Sequence, residues 1–125
     1  MPLIETIPLT TPVTIGKNEC HEIVLREATG GDVIEAQEES EKLVMTADGP
    51  QLVASPTLVG MGVLRRQVVK IGDVDGPVDL VTLKRLSVYD LNQVQLKADA
   101  MDAATEAEAL KARTAMRGRT GEQDG

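Results

Sequence analysis

Cys20 and His21 are the one thiol and the one imidazole of the chain, and they stand side by side. A thiolate activated by a neighbouring imidazole is a nucleophile, provided that base and orienting group are positioned on it. Adjacent residues of a strand point to opposite faces, so this pair forms no dyad by itself. No second Cys or His exists to complete a zinc site within one chain. Gly30-Gly31 follows an alternating run and opens a helix, the placement of a phosphate loop. No GxGxxG and no Gly-Lys-Ser/Thr completes that motif, and Asp32 would repel phosphate. Asp73, Asp75 and Asp79 in the phrase GDVDGPVD hint at calcium. An EF-hand needs three oxygen positions before its Gly and a Glu at the twelfth, whereas the twelfth residue from Asp73 is Lys84. These aspartates read as turn formers and a cap. Glu38, Glu39 and Glu41 could be an acid–base set, but nothing apolar beside them would move a pKa toward neutrality. The expectation is a protein without catalytic residues, cofactor or metal.

Charge adds a second constraint. Residues 1–50 hold ten acids and three bases, which accounts for the whole net charge of −7; residues 51–125 balance at ten of each. The acidic half repels nucleic acid. Lys111, Arg113, Arg117 and Arg119 are the one cationic cluster, read as cations complementing a helix C-terminus. A nucleic-acid regulator using that end would show steep salt dependence. One cysteine leaves no intramolecular disulfide and suits a reducing cytoplasm. The opening MPLIETIPLTT has neither a basic nor a long apolar region, so no secretory signal is expected. No apolar run approaches a membrane span.

The elements that must carry these residues can be read from periodicity. Ile7 to Ile15 alternates through Leu9, Val13 and Ile15, with Pro8 and Pro12 marking an edge strand. Gly16 to Glu19 is a turn, and Cys20 to Arg26 a second strand with His21, Ile23 and Leu25 on one face. Thr29-Gly-Gly-Asp32 has capping-box spacing and starts a helix over about 31–45. Ser55-Pro56 caps a second helix over about 56–71, apolar nearly all round. Gly60 and Gly62 within it permit close approach of another backbone or mark a bend. Asp79 caps a short helix, 80–86. Ser87 to Asp90 is another box, opening a last helix over 88–116. The fold class is α+β: an N-terminal β-hairpin (7–26) followed by a bundle of three to four helices with a long C-terminal helix. Residues 1–117 form one domain and 118–125 a disordered tail. Phe and Trp are absent and Tyr89 is the single aromatic, so the core is aliphatic and the domain of modest stability.

Two phrases carry a resemblance. One is the strand ending Leu25-Arg26-Glu27-Ala28-Thr29, followed by Asp32 and a helix. The other is Leu83-x-x-Leu86-Ser87-x-x-Asp90-Leu91. In this order and spacing the chain resembles the tail assembly proteins of Mu-like and P2-like contractile-tailed phages. The resemblance implies a tail assembly chaperone in the host cytoplasm. Such a chaperone binds the tape-measure protein and keeps its hydrophobic helices soluble until tail-tube subunits polymerise around it. It further implies an extended, frameshifted product in some relatives, reaching the tail-tube protein; the modest stability of the aliphatic core separately suggests a gain from a partner or from a homo-oligomer. The competing reading is a structural tail or tail-completion subunit retained in the virion. For a holdase, the expected client or core apolar surface is Leu58, Met61, Leu64, Val68, Leu91, Val94 and Met101, undivided between the two roles. Arg26, Glu27, Thr29, Asp32 and Asp90 are the family-motif corner, expected to hold the strand-to-helix turn.

Overall fold

The computed structural model describes residues 4–124, with side chains described over residues 4–115. Its centre is a four-stranded antiparallel sheet in the order β1-β2-β5-β6. The first pair is the expected hairpin, β1 (Ile4–Ile15) and β2 (Asn18–Arg26). Four helices accompany the sheets: α1 (Gly30–Ser40), α2 (Pro56–Gln67), α3 (Leu80–Lys84) and the long α4 (Val88–Asp124). The class is α+β with a long C-terminal helix. The helices do not make the expected bundle, because β5 and β6 enlarge the hairpin into a sheet on which they pack.

Two expected helices are shorter than periodicity suggested. The first, expected over 31–45, stops at Ser40, whose hydroxyl donates back to the Ala36 carbonyl at 2.7 Å. The chain then enters a separate ribbon, β3 (Glu41–Thr46) and β4 (Gly49–Ala54), paired only with each other. Leu43, Val44 and Met45 look like one more helical turn, but the Asp48-Gly49 that follows this short apolar run is also a hairpin signal. The second helix, expected over 56–71, ends at Gln67. Val68–Ile71 is strand β5, and β6 (Val74–Asp75) pairs with it. The β-branched residues of β5 suit a pleated, half-buried surface, and Ile71 and Val68 pair with Ile23 and Leu25 of β2. Gly72 turns β5 into β6 at φ +57°, and its bare Cα lies against Cys20, where a Cβ would come within 2.9 Å of the sulfur.

The core is aliphatic. Ile7, Leu9, Val13, Ile23, Leu25 and Ile71 of the sheet meet Leu64, Leu83, Val94, Ala98 and Met101 of the helices. Strict alternation fails in β2, where Cys20 and Ile23 are both fully buried while His21 is exposed. The pairing register slips between Pro8 and Val13 at the same level. The expected tail over 118–125 lies outside the residues whose side chains are described.

Candidate functional site

The strand-to-helix corner is held by hydrogen bonds that converge on two aspartates. Thr29 caps α1, its hydroxyl accepting from the Asp32 N–H at 3.2 Å, while the Thr29 N–H donates to Asp32 Oδ2 at 2.9 Å. Arg26 donates to both Asp32 oxygens, at 2.7 and 3.1 Å, and also to the carbonyls of Glu27 and Arg66. This fork is the strong, planar form of ion pair. Arg26 and the Thr29 donors hold the Asp32 carboxyl below its ordinary value against the opposing effect of burial. Glu27 turns the other way: its carboxylate accepts from the Thr105 hydroxyl at 2.6 Å, and Asp102 accepts from the Ala28 N–H at 3.3 Å. The phrase Arg26 to Asp32 thus ties β2 to α1, α2 and α4 at once.

Asp90 makes the second convergence. Ser87 accepts from the Asp90 N–H at 3.1 Å, the first half of the expected box. The Asp90 carboxylate does not return that bond. It accepts from the Thr10 N–H and hydroxyl, both at 2.9 Å, and from the Thr11 N–H at 3.0 Å. Those N–H groups belong to the stretch of β1 where the register slips, so Asp90 satisfies donors that the ladder leaves unpaired. Burial pushes its pKa up, and the Thr10, Thr11 and Ser87 donors outweigh that and hold it below the ordinary value.

A third fastening lies between α1 and α2. Gly62 brings the helices together: a Cβ there would meet the Ala36 Cβ at 3.0 Å and Glu39 Oε1 at 2.7 Å. Gly60 faces open space and has no such role. Beside the crossing, Glu39 accepts from Arg66 at 2.9 Å and from Arg65 at 2.6 Å, and Glu35 from Arg66 at 3.2 Å. Arg66 first and Arg65 second pull the Glu39 pKa down to about 2.

The seven apolar residues singled out from sequence separate in space. Leu64, Val68, Val94 and Met101 are buried in the core. Leu58, Met61 and Leu91 are half-buried, and they come together with Thr57, Leu80, Leu83 and Lys84 around a groove of about 290 Å³. It runs between α2, α3 and the start of α4, and its floor is the buried Leu83. Leu58 and Leu80 also border an adjoining depression of about 380 Å³ beside Glu39, Ser40 and Arg65. Val88, one helical turn from Leu91, stands exposed near the groove's α4 side. Leu80 and Leu83 are groove residues absent from the expected apolar surface, although Leu83 opens the second family phrase. Their three-residue spacing after the Asp79 cap is the signal that would have found them.

The residues weighed for catalysis and metal binding are dispersed. Cys20 is buried, and burial followed by the charge of Asp73 raises its thiol pKa, which disfavours the thiolate. His21 is exposed beside Glu19, 3.9 Å away. Asp73 and Asp75 are exposed in and beside the β5–β6 turn, and Asp79 caps α3 through the Thr82 N–H at 2.8 Å. Among the described residues no group of three or more His, Cys, Asp or Glu could hold a metal ion. No helix among them is long and apolar enough to cross a membrane. Lys111 and Arg113 are not at a helix end: α4 continues to Asp124, about three turns past Arg113, and helix-dipole effects fade within the last turn.

Fold and site together define a small α+β protein with an apolar groove between α2, α3 and α4, and with Arg26, Asp32 and Asp90 engaged in fastening its elements. The chain belongs to the Mu-like phage tail assembly protein gp41 family, whose pattern matches residues 9–119. It is 41% identical over 87 residues to the probable tail assembly protein gp41 of Escherichia phage Mu, covering 70% of this chain and 60% of that one. The probable tail assembly protein FS-gp41 of the same phage is matched at the same identity and length, over 46% of its chain. The Mu-like prophage FluMu protein gp41 of Haemophilus influenzae is 37% identical over 97 residues, 77% of this chain and 76% of the relative. The chain thus spans only about half of the two phage Mu relatives. No solved structure matches it.

Proposed function

We propose that this protein acts in phage tail assembly as a chaperone. It binds the tape-measure protein in the host cytoplasm and keeps that protein's apolar helices soluble until the tube forms around them. The relatives' names support the tail assembly role. The observation that carries the chaperone reading is the groove of Leu58, Met61, Leu80, Leu83 and Leu91. A groove between helices that is apolar and opens to water fits the apolar face of a client helix, read through side chains one turn apart. The net charge of −7 would keep such a complex soluble. Binding of this kind needs neither a catalytic step nor a cofactor.

Co-expression with the tape-measure protein of the same phage, followed by size-exclusion chromatography, tests the reading. The expected result is a soluble tape-measure protein that co-elutes with this chain. Leu58→Asp and Met61→Asp, at half-buried positions, are expected to abolish co-elution while the far-ultraviolet circular dichroism stays that of the parent. An insoluble client beside a separately eluting chain overturns the proposal. Recovery of the chain in purified virions would instead identify a structural or tail-completion subunit.

A further inference from the structure

The β3–β4 ribbon is the most exposed apolar feature of the described residues. Every residue of β3 is exposed. The register sets Leu43 opposite Leu52 and Met45 opposite Pro50, so these four share one face. Leu43 is 69%, Met45 76% and Leu52 67% exposed. An isolated two-stranded ribbon is marginal in water, and a bare apolar face of this kind marks a contact surface. Its rim is acidic: Glu41 lies on the same face at the base, and Asp48 sits at the tip.

The same chain carries the complementary surface. Thr105 is the last residue of α4 shown hydrogen-bonded to the body, and 106–115 are all exposed. Ala103, Ala107, Leu110 and Thr114 step along one side of that segment, with Leu110 63% exposed. Glu106 and Glu108 lie at the start of that segment; beyond them Lys111 and Arg113 flank the stripe, neither forms an ion pair among the described residues, and no acid occurs from 109 to 121. The bareness of Leu110 and of Leu43, Met45 and Leu52 shows that helix and ribbon do not cover each other within one copy.

We infer that the ribbon receives the projecting end of α4 from a second copy of this chain, in a two-fold dimer in which each copy's helix lies on the other's ribbon. Charge selects this occupant: beyond Glu108 the helix carries only cations up to residue 121, and with its apolar stripe it meets an apolar ribbon with an acidic rim. The reciprocal arrangement closes on itself, leaving no open end to polymerise. It also doubles the contact. The inference does not depend on the client groove, which lies on α2, α3 and the start of α4.

Light scattering coupled to size-exclusion chromatography of the purified full chain tests it. The expected species is a dimer that dissociates on dilution and weakens as salt is raised. Met45→Glu is expected to give a monomer. Lys111→Glu with Arg113→Glu is expected to weaken the dimer about tenfold, as is Glu41→Lys with Asp48→Lys. All four charge changes in one chain restore complementarity and are expected to restore the dimer. A wild-type chain that stays monomeric up to about 100 µM overturns the inference. So does a dimer indifferent to the Lys111 and Arg113 changes, or one that the fourfold variant fails to recover. Circular dichroism of each variant separates loss of association from loss of fold.

Discussion

The corner around Arg26, Asp32 and Asp90 and the ribbon of β3 and β4 are opposites. In the corner one carboxylate serves three donors, and for Asp90 those donors come from a segment 80 residues away. On the ribbon the hydrogen bonds are those of a single antiparallel pair and its turn, and the side chains that matter touch little. The first phrase by which the chain resembles its family maps onto the corner; the second sets Asp90 on Thr10 and Thr11 and places Leu83 and Leu91 in the groove. The polar motif residues fasten the fold, whereas the exposed face of the ribbon is built from Leu, Met and Pro.

If that contrast is right, substitutions in the corner should act on stability and substitutions on the ribbon on association. The largest effect is expected for Asp90→Ala, which strands the Thr10 and Thr11 N–H groups. We expect a loss of about 3 kcal/mol in urea unfolding, a large share of the ~5–15 kcal/mol typical of a domain. A loss under about 0.5 kcal/mol would break the comparison, since the β1 irregularity would then be held by something else. Next comes Gly62→Ala, whose methyl must push against Ala36 across the α1–α2 crossing. About 1–2 kcal/mol is expected there, while Gly60→Ala, in open space, should be neutral or stabilising.

The pH dependence is smaller. Glu39 titrates at about 2 in the fold against an ordinary 4.5, with Arg66 and then Arg65 as the cause. A carboxyl depressed by folding stabilises above its ordinary value and loses that contribution as pH falls toward the folded value. Thermal midpoints should therefore be level above about pH 5.5 and fall between about 4.5 and 2. Because Glu39 is about one-third exposed, its share is ~1 kcal/mol. Glu39→Gln should remove that share of the slope, leaving the part owed to Asp32 and Asp90, which are depressed in the same direction. The smallest stability effect is expected for Leu43→Ser, within about 0.5 kcal/mol of the parent. A larger loss would show that the ribbon face is part of the fold, and would sharpen the contrast by moving its boundary.

Much of the scaffold was legible because it is local. Thr29, Ser55 and Asp79 each accept from an N–H three residues on, and a spacing of three is readable in any sequence. The β1–β2 hairpin and the start of the long helix were readable for the same reason. Leu43 to Met45 and Val68 to Ile71 were not. Each apolar run is short enough to serve as a last helical turn or a strand, and periodicity alone does not separate the two. The Val68–Ile71 run became a strand because β2 offered an edge; Leu43–Met45 did so because Asp48-Gly49 turned the chain back on itself.

The sequence alone therefore determined the α+β class, the caps, the first hairpin and the acidic front half, all of which rest on neighbours within a few positions. Only the tertiary structure decided which of Leu58, Met61, Leu64, Val68, Leu91, Val94 and Met101 are core and which line a groove. Only it, too, set the Asp90 carboxylate on Thr10 rather than on its own helix cap. The physical reason is common to both: burial and long-range hydrogen bonding are properties of which segments meet, and Thr10 meets Asp90 across 80 residues.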